Sequence, residues 1–250
     1  MKGIAMLKKY LFAAVFSIGL TGLNAQVDME YWDHDSYLNI GGGMVMPGEN
    51  LKSTSDMGFF AKNGYQINFD YNYIFGYGLG IGASVEYDQF KFDKEAFVEY
   101  ADPEQMWVKG GYSSTKFGLN LVANIPIVVS KGNFAINFFG EFNAGLRGFN
   151  IPSIDLAYNE IVNKYVEVTY RSRSNTMGYL GYSGGLQFIF NDRIGINLSY
   201  NALLRSRHSV KYSVRMFDAA DELYEEENYM NNFLEHTGFQ LGIMFIFGKH

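Results

Sequence analysis

One stretch of this chain has the spacing of a catalytic motif. Gly181-Tyr182-Ser183-Gly184-Gly185 matches G-x-S-x-G, the nucleophile elbow of hydrolases. That elbow needs a strand, a strained turn and then a helix, with the triad partners following later in the chain. Here Leu186, Phe188 and Phe190 continue a strand-like alternation, and no histidine and acid follow in a suitable context. The pattern therefore indicates a strand softened by glycine.

A second group of reactive side chains lies in the segment 206–235. Ser206, His208 and Glu222 supply the residue types of a lipid-modifying enzyme, but triads are recognised by geometry and this spacing does not demand one. The histidines show no metal-ligand spacing, and the acidic residues do not fit a calcium loop. We expect no catalytic residues, no cofactor and no metal site. A solvated acidic loop is preferred, with a divalent cation bridging it to lipopolysaccharide phosphate as the alternative.

The elements that would position functional side chains are strands with one large apolar face and one small or polar face. His236–Phe247 shows the pattern most plainly, because its glycines and its single glutamine share the face opposite the large residues. A soluble edge strand would not expose so apolar a face to water, whereas a strand in a bilayer would turn its polar face into a barrel. The apolar face holds Phe239, Leu241, Ile243, Phe245 and Phe247.

Seven other stretches repeat this alternation, and long and short links alternate between them. We therefore predict an all-β fold, an eight-stranded antiparallel up-and-down transmembrane β-barrel with short periplasmic turns and long external loops. The third and fourth long links are β-prone, which predicts a protruding sheet with Tyr165, Tyr170 and Tyr212 exposed. The candidate strands are Ser36–Met46, Gly64–Phe75, Leu79–Asp88, Tyr112–Val129, Phe134–Arg147, Met177–Phe190, Ile194–Arg205 and His236–Phe247. The long links are 47–63, 91–111, 149–176 and 206–235, and the short ones lie near 76–78, 130–133 and 191–193.

The first 25 residues have the composition of a secretory signal peptide. Three lysines precede a short apolar run, which is too short to span a bilayer as a helix, and Ala25 offers a small residue for cleavage. We expect residues 26–250 to form a single outer-membrane β-barrel domain. Of the 20 basic residues, 17 would remain against 26 acidic ones, formally −9, which argues against nucleic acid as a partner. The absence of cysteine excludes disulfides and thiolate metal sites.

Charged residues on the inward faces of the strands form the candidate site. An eight-stranded barrel has room inside for side chains but not for an open pore. Charges in that lumen must pair or be solvated by trapped water. We predict an ion-pair plug, with a narrow polar channel as the alternative, and we place the two arginines nearer the external rim. The predicted network sets Asp70, Glu86, Asp88 and Glu141 against Lys116, Arg147 and Arg205.

The leader, the repeated alternation and the final Phe245-Ile246-Phe247 resemble the small eight-stranded outer-membrane barrels of the OmpX and OmpA-transmembrane-domain type. The glycine-rich strands and Asn24-Ala25-Gln26 are most similar to the PorT-type outer membrane protein beta-barrel family. The resemblance spans residues 36–247. It implies that the barrel-assembly machinery recognises a terminal aromatic residue. Phe245 and Phe247 match that signal, with Phe247 preferred, although Gly248-Lys249-His250 follow it here.

These observations favour a protein of the outer membrane of a Gram-negative cell. The preferred hypothesis is a non-enzymatic barrel with a plugged lumen that acts through its external loops as anchor, adhesin or accessory subunit of a surface complex. A small-solute pore is the alternative, and a lipid-modifying enzyme is less favoured. The expected partners are outer-membrane lipid and lipopolysaccharide, the barrel-assembly machinery and another outer-membrane protein complex. Fold alone does not decide among these functions.

Overall fold

The computed structural model describes residues 26–27, 35–55, 58–160, 164–173, 175–204, 207–217 and 223–248. The predicted signal peptide, Arg205, Ser206 and Glu222 lie outside these residues. The strands are β1 (Gln26–Val27), β2 (Ser36–Pro47), β3 (Ala61–Gly76), β4 (Leu79–Phe92), β5 (Gln105–Lys109), β6 (Tyr112–Ser130), β7 (Phe134–Asn150), β8 (Ser153–Glu160), β9 (Lys164–Ser172), β10 (Thr176–Phe190), β11 (Ile194–Leu203), β12 (Arg207–Phe217), β13 (Leu223–Phe233) and β14 (His236–Phe247). The helices are α1 (Glu49–Lys52) and α2 (Lys94–Ala101).

Eight of the strands close into an antiparallel barrel, which confirms the predicted fold. Their order is β2-β3-β4-β6-β7-β10-β11-β14, and each pairs with its neighbour in the chain. Closure comes from β14, which pairs with β2 and sets Ile243 opposite Ile40. No helix among the described residues is long and apolar enough to cross a bilayer.

Short turns join the barrel strands at one end, which we call the turn end. In the turn between β3 and β4, Tyr77 and Gly78 have φ of 51° and 73°, the left-handed values that a two-residue type I′ hairpin needs. The other two short turns are residues 131–133 and 191–193. Gln26–Val27 pairs with Val128 and Ile127 of β6, close to the turn that follows β6. The opposite end, where the long links leave the barrel, is the loop end.

Two clusters of buried apolar side chains lie at the two ends of the lumen. The turn-end seal consists of Tyr37, Ile74, Val122, Ala135, Ile189, Met244 and Ile246. The loop-end seal consists of Val45, Leu51, Phe59, Ala61, Phe90, Tyr112, Phe149, Val210 and Leu234. Every second residue of each strand points inward. Between the two clusters these inward residues carry amide and charged side chains.

The long links build a second sheet, the cap sheet, with strand order β13-β12-β9-β8-β5. The structure therefore has a sheet where the third and fourth links predicted one, and it adds β5 and α2 from the second link. One face is charged: Arg171 pairs with Asp155 at 2.9 Å, and Arg173 pairs with Glu225 at 2.9 Å. Tyr170 lies on the other face, turned towards the barrel mouth.

Candidate functional site: a sealed lumen and a cavity under the cap sheet

A compact ion cluster occupies the lumen just below the loop-end seal. The Lys116 Nζ of β6 lies 2.6 Å from Glu86 Oε1 and 3.2 Å from Asp88 Oδ2, both on β4. His236, the first residue of β14, reaches the same place across the lumen, with its Nε2 at 3.3 Å from Asp88 Oδ2. The Phe90 ring of the seal packs edge-on against the His236 ring, 5.4 Å away. Strands on different sides of the barrel are thus joined through one ammonium group.

Glu86, Asp88 and His236 also form the kind of donor set that can hold a metal ion, since their ligand atoms lie within 4.8 Å of one another. The Lys116 ammonium stands among them, 3.2 Å from His236 Nε2 in addition to its carboxylate contacts. It fills the position that a divalent cation would take and supplies the positive charge the acids need. The arrangement is therefore an ion-paired cluster centred on the ammonium group.

Arg147 lies opposite Lys116 in the pairing of β6 with β7, yet its guanidinium forms no ion pair with the described acidic residues. Its Nε donates to Ser114 Oγ at 2.6 Å, and its Nη1 donates to the carbonyl of Leu234 at 2.9 Å. The guanidinium also lies 5.1 Å from the centre of the Phe149 ring. Arg147 therefore stands towards the loop end, as predicted, and holds the link before β14 against the barrel wall.

Asp70 and Glu141 lie nearer the middle of the lumen and are held by amides. Asp70 accepts hydrogen bonds from Asn39, at 2.9 Å, and from Asn68, while Glu141 accepts one from Asn143 at 2.6 Å. The cavity between these side chains measures about 40 Å³, enough for a few water molecules. Among the described residues neither acid contacts a cation, so amide donors and the small cavity, rather than a basic side chain, surround these two members of the predicted network.

Sequence reasoning missed His236, although a signal for it was present. The residue lies two positions before Gly238 and four before Gln240, so it belongs to the inward face of the same strand. The four scattered histidines of the chain show no metal-ligand spacing, so the alternation along this strand is the one pattern that indicates the inward position of His236. Arg205, the remaining predicted member of the network, lies outside the described residues.

A larger cavity of about 340 Å³ lies between the loop-end seal and the cap sheet. Tyr170 and Tyr212, predicted to be exposed, are half-buried there, with ring centres 6.1 Å apart. The prediction failed because both residues lie on the sheet face that covers the barrel mouth. The walls are formed by Gly58, Phe59, Phe60, Phe92, Phe97, Tyr100, Ala101, Tyr112, Ile151, Pro152, Ile154, Leu156, Tyr158, Tyr170, Val210, Tyr212 and Met230.

Helix α2 brings two of these aromatic rings to the cavity. Asp93 caps the helix by accepting a hydrogen bond from the Ala96 N–H, and it pairs with Lys62 at 2.8 Å. Partial burial acts to raise the pKa of Asp93, but the hydrogen bonds from Lys62 and Ala96 outweigh it and hold that pKa below its ordinary value. Because Phe97 and Tyr100 are three residues apart in this helix, they lie on the same side of it.

The fold defines a class of protein, the closed eight-stranded up-and-down barrel, and solved structures similar to it include outer-membrane proteins. Neisserial surface protein A is 8% identical, with 84% of this chain and 96% of that chain covered and a TM-score of 0.44. Ail of Yersinia pestis is 16% identical, covering 86% and 99%, with a TM-score of 0.41. OprG of Pseudomonas aeruginosa is 8% identical, covering 87% and 97%, with a TM-score of 0.47. At these identities the matches concern the fold alone.

No protein-family model and no curated protein matches the chain in sequence. The PorT-type resemblance therefore stays a prediction.

Proposed function

We propose that this chain is a non-enzymatic barrel of the bacterial outer membrane that does not conduct solutes and acts through the structures at its loop end. The observation that carries the proposal is the lumen, which holds an apolar seal at each end and an ion-paired cluster between them. A barrel filled in this way offers its surroundings only its outer wall and its ends. The loop end, which carries the cap sheet, is the larger of the two ends.

The outer wall supports placement in a bilayer. Its outward side chains are large and apolar over the length of the strands, and Leu119, for example, is 73% exposed. A soluble protein rarely shows so continuous an apolar surface to water. Closure of the sheet satisfies the backbone hydrogen bonds of every strand, which a lipid environment demands. Aromatic pairs border this wall near both ends, Tyr65 with Tyr87 and Phe134 with Phe190.

Orientation follows from the lengths of the links. Outer-membrane barrels have short periplasmic turns and longer external loops, so the turn end would face the periplasm and the cap sheet would face outward. There the charged face of the cap sheet is available to partners. The roles that fit are anchor, adhesin or accessory subunit of a surface complex.

Single-cysteine labelling tests this placement cleanly, because the chain contains no cysteine of its own. We expect a membrane-impermeant maleimide to label Tyr224→Cys, on the exposed surface of β13, in intact cells. Lys131→Cys, in an exposed short turn, should react only after the outer membrane is permeabilised. Labelling of Lys131→Cys in intact cells, with Tyr224→Cys protected, would overturn the orientation.

A further inference from the structure

The cavity under the cap sheet has the form of a binding site. We propose that it takes a small, uncharged molecule with an aromatic ring and a hydroxyl-type polar group, a phenol-like ligand. The inference rests on the proposed function, since it gives the loop end a ligand class. The cavity volume, about 340 Å³, falls within the range of small-molecule pockets.

The walls of the cavity decide the charge of the occupant. None of the described residues that line it is acidic, basic or a histidine. A charged ligand would therefore lose its hydration without gaining a counter-ion, which is strongly unfavourable. The lumen acids lie below the loop-end seal, whose Phe59 and Tyr112 form part of the cavity floor. The lining therefore favours a neutral occupant.

The aromatic lining decides the shape of the occupant. The Phe60 ring meets the Phe97 ring edge-to-face at 5.1 Å and the Tyr100 ring at 5.5 Å, and Phe92 lies 5.2 Å from Phe97. Rings arranged at such angles offer both edges and faces to a further ring, which is the geometry that aromatic pairs prefer. A flat ring therefore gains more from these walls than a flexible chain does.

Tyrosines supply the polar contacts. Burial raises the pKa of Tyr158, Tyr170 and Tyr212, so these phenols stay neutral and can both donate and accept hydrogen bonds. They stand on β8, β9 and β12, which are neighbouring strands of the cap sheet. The cap-sheet side of the cavity thus carries three neutral hydroxyls, while Phe60, Phe92 and Phe97 supply apolar rings, so the lining suits a molecule that combines a ring with a hydroxyl.

A strained residue in the wall supports the same inference. Phe60 has φ of 53°, a left-handed conformation that is a genuine outlier for a bulky side chain. Backbone hydrogen bonds fix it on both sides, from its own N–H to Ser53 and from the Asp93 N–H to its carbonyl. Such strain persists where surrounding structure imposes it, and it concentrates at ligand sites. Here it turns the Phe60 ring towards Phe97 in the cavity wall.

The test uses the full barrel in lipid nanodiscs and 4-fluorophenol as the probe, followed by ¹⁹F NMR titration. Empty nanodiscs of the same lipid measure the linear partition of the probe into lipid. We expect saturable binding only where the protein is present, and binding of 4-fluorobenzoate at least about tenfold weaker, because its carboxylate would be buried unpaired. Purely linear uptake of 4-fluorophenol would overturn the proposal, and so would equal binding of the two probes.

Matched variants locate the site. Ala101→Trp fills the cavity from α2, whereas Val98→Trp adds the same side chain to an exposed position of that helix outside the lining. We expect Ala101→Trp to weaken 4-fluorophenol binding by at least about tenfold and Val98→Trp to leave it unchanged. If Ala101→Trp fails to fold, Phe97→Leu takes its place with the same expectation. Unchanged affinity in the cavity variant, or equal loss in both variants, contradicts the assignment.

Conductance and cysteine labelling on the same preparations separate this proposal from the proposed function. If the barrel binds 4-fluorophenol saturably but conducts or is inverted, the proposed function is contradicted and the ligand site is supported. If the barrel does not conduct and has the proposed orientation, but takes up 4-fluorophenol only linearly, the ligand site is contradicted and the proposed function is supported.

Discussion

At the scale of single residues, Lys116 is the group on which the lumen depends. It is the cation in contact with Glu86, Asp88 and His236, and all four side chains lie inside the barrel. Two acids around one ammonium leave a formal negative charge, which the Asn201 amide helps to disperse by donating a hydrogen bond to Glu86 at 3.3 Å. Removing the ammonium leaves both carboxylates without their cation.

Lys116→Met is therefore expected to destabilise the folded barrel by about 3 to 5 kcal/mol, the loss typical of breaking a buried ion pair from one side. Urea unfolding in lipid vesicles, followed by the gel shift between folded and unfolded barrel, measures it. Lys62→Met is the matched control, because the Lys62–Asp93 pair has a half-exposed lysine and is screened by water. Equal, small effects of the two substitutions would mean that the ion cluster does not hold the lumen together.

Phe247 is the second residue with a separable role. It faces outward at the end of β14 and is 54% exposed, and Phe239 on the same strand face is 55% exposed. If the assembly machinery reads the terminal aromatic residue, Phe247→Ala should reduce the amount of folded barrel in outer membranes while Phe239→Ala should not. Heat-modifiability on gels of membrane fractions measures the folded amount. Equal amounts for the two variants would refute Phe247 as the signal.

At the scale of elements, the closing pair of strands shows why glycine recurs on the inward faces. Gly43 of β2 lies opposite Gln240 of β14, and a Cβ placed on it would run into the backbone at Phe239 and Gln240. The two strands approach this closely only because no side chain intervenes. Gly140 of β7, in contrast, has open space where its Cβ would stand.

Gly43→Val should accordingly cost at least about 1 to 3 kcal/mol through overpacking at the barrel seam, and it should slow closure. Gly140→Val adds the same side chain to an open position and should be nearly neutral. Refolding into lipid vesicles, followed by the gel shift, gives both the rate and the stability. A Gly43→Val variant that folds as well as Gly140→Val would show that β2 and β14 can accommodate a side chain between them.

The eight barrel strands could be predicted because lipid-facing and lumen-facing residues must alternate. In β3, for instance, Tyr65 and Ile67 are exposed while Gln66 and Asn68 are buried, as the alternation predicts. The cap sheet was only partly predictable. Its strand β5 pairs with β8, setting Met106 opposite Leu156, and such distant pairing leaves no local signal in a charged segment.

The candidate site was predictable only in part. Alternation gives the face of Lys116, Glu86 and Asp88, but it does not say which residues meet across the lumen. That depends on how far each strand is staggered against the next. His236 reaches Asp88 from a strand that is not its neighbour in the sheet, so the contact had to be found in the structure.

At the scale of the whole molecule, the barrel is a wall around a closed interior with a covered mouth. The loop-end seal and the cap sheet share Val210, so the cap and the barrel pack around one apolar cluster. In the proposed function the interior stabilises the fold, the outer wall fits lipid, and recognition falls to the cap sheet and the cavity beneath it. The central claim is that the interior does not conduct.

Conductance in planar bilayers tests that claim most directly. The folded barrel should give no steady open channels, because the turn-end seal, the ion cluster and the loop-end seal lie in series along the lumen. The Lys116→Met variant, with its seals intact, should stay silent as well. Steady channel openings from the unmodified protein would contradict the sealed lumen and favour a small-solute pore.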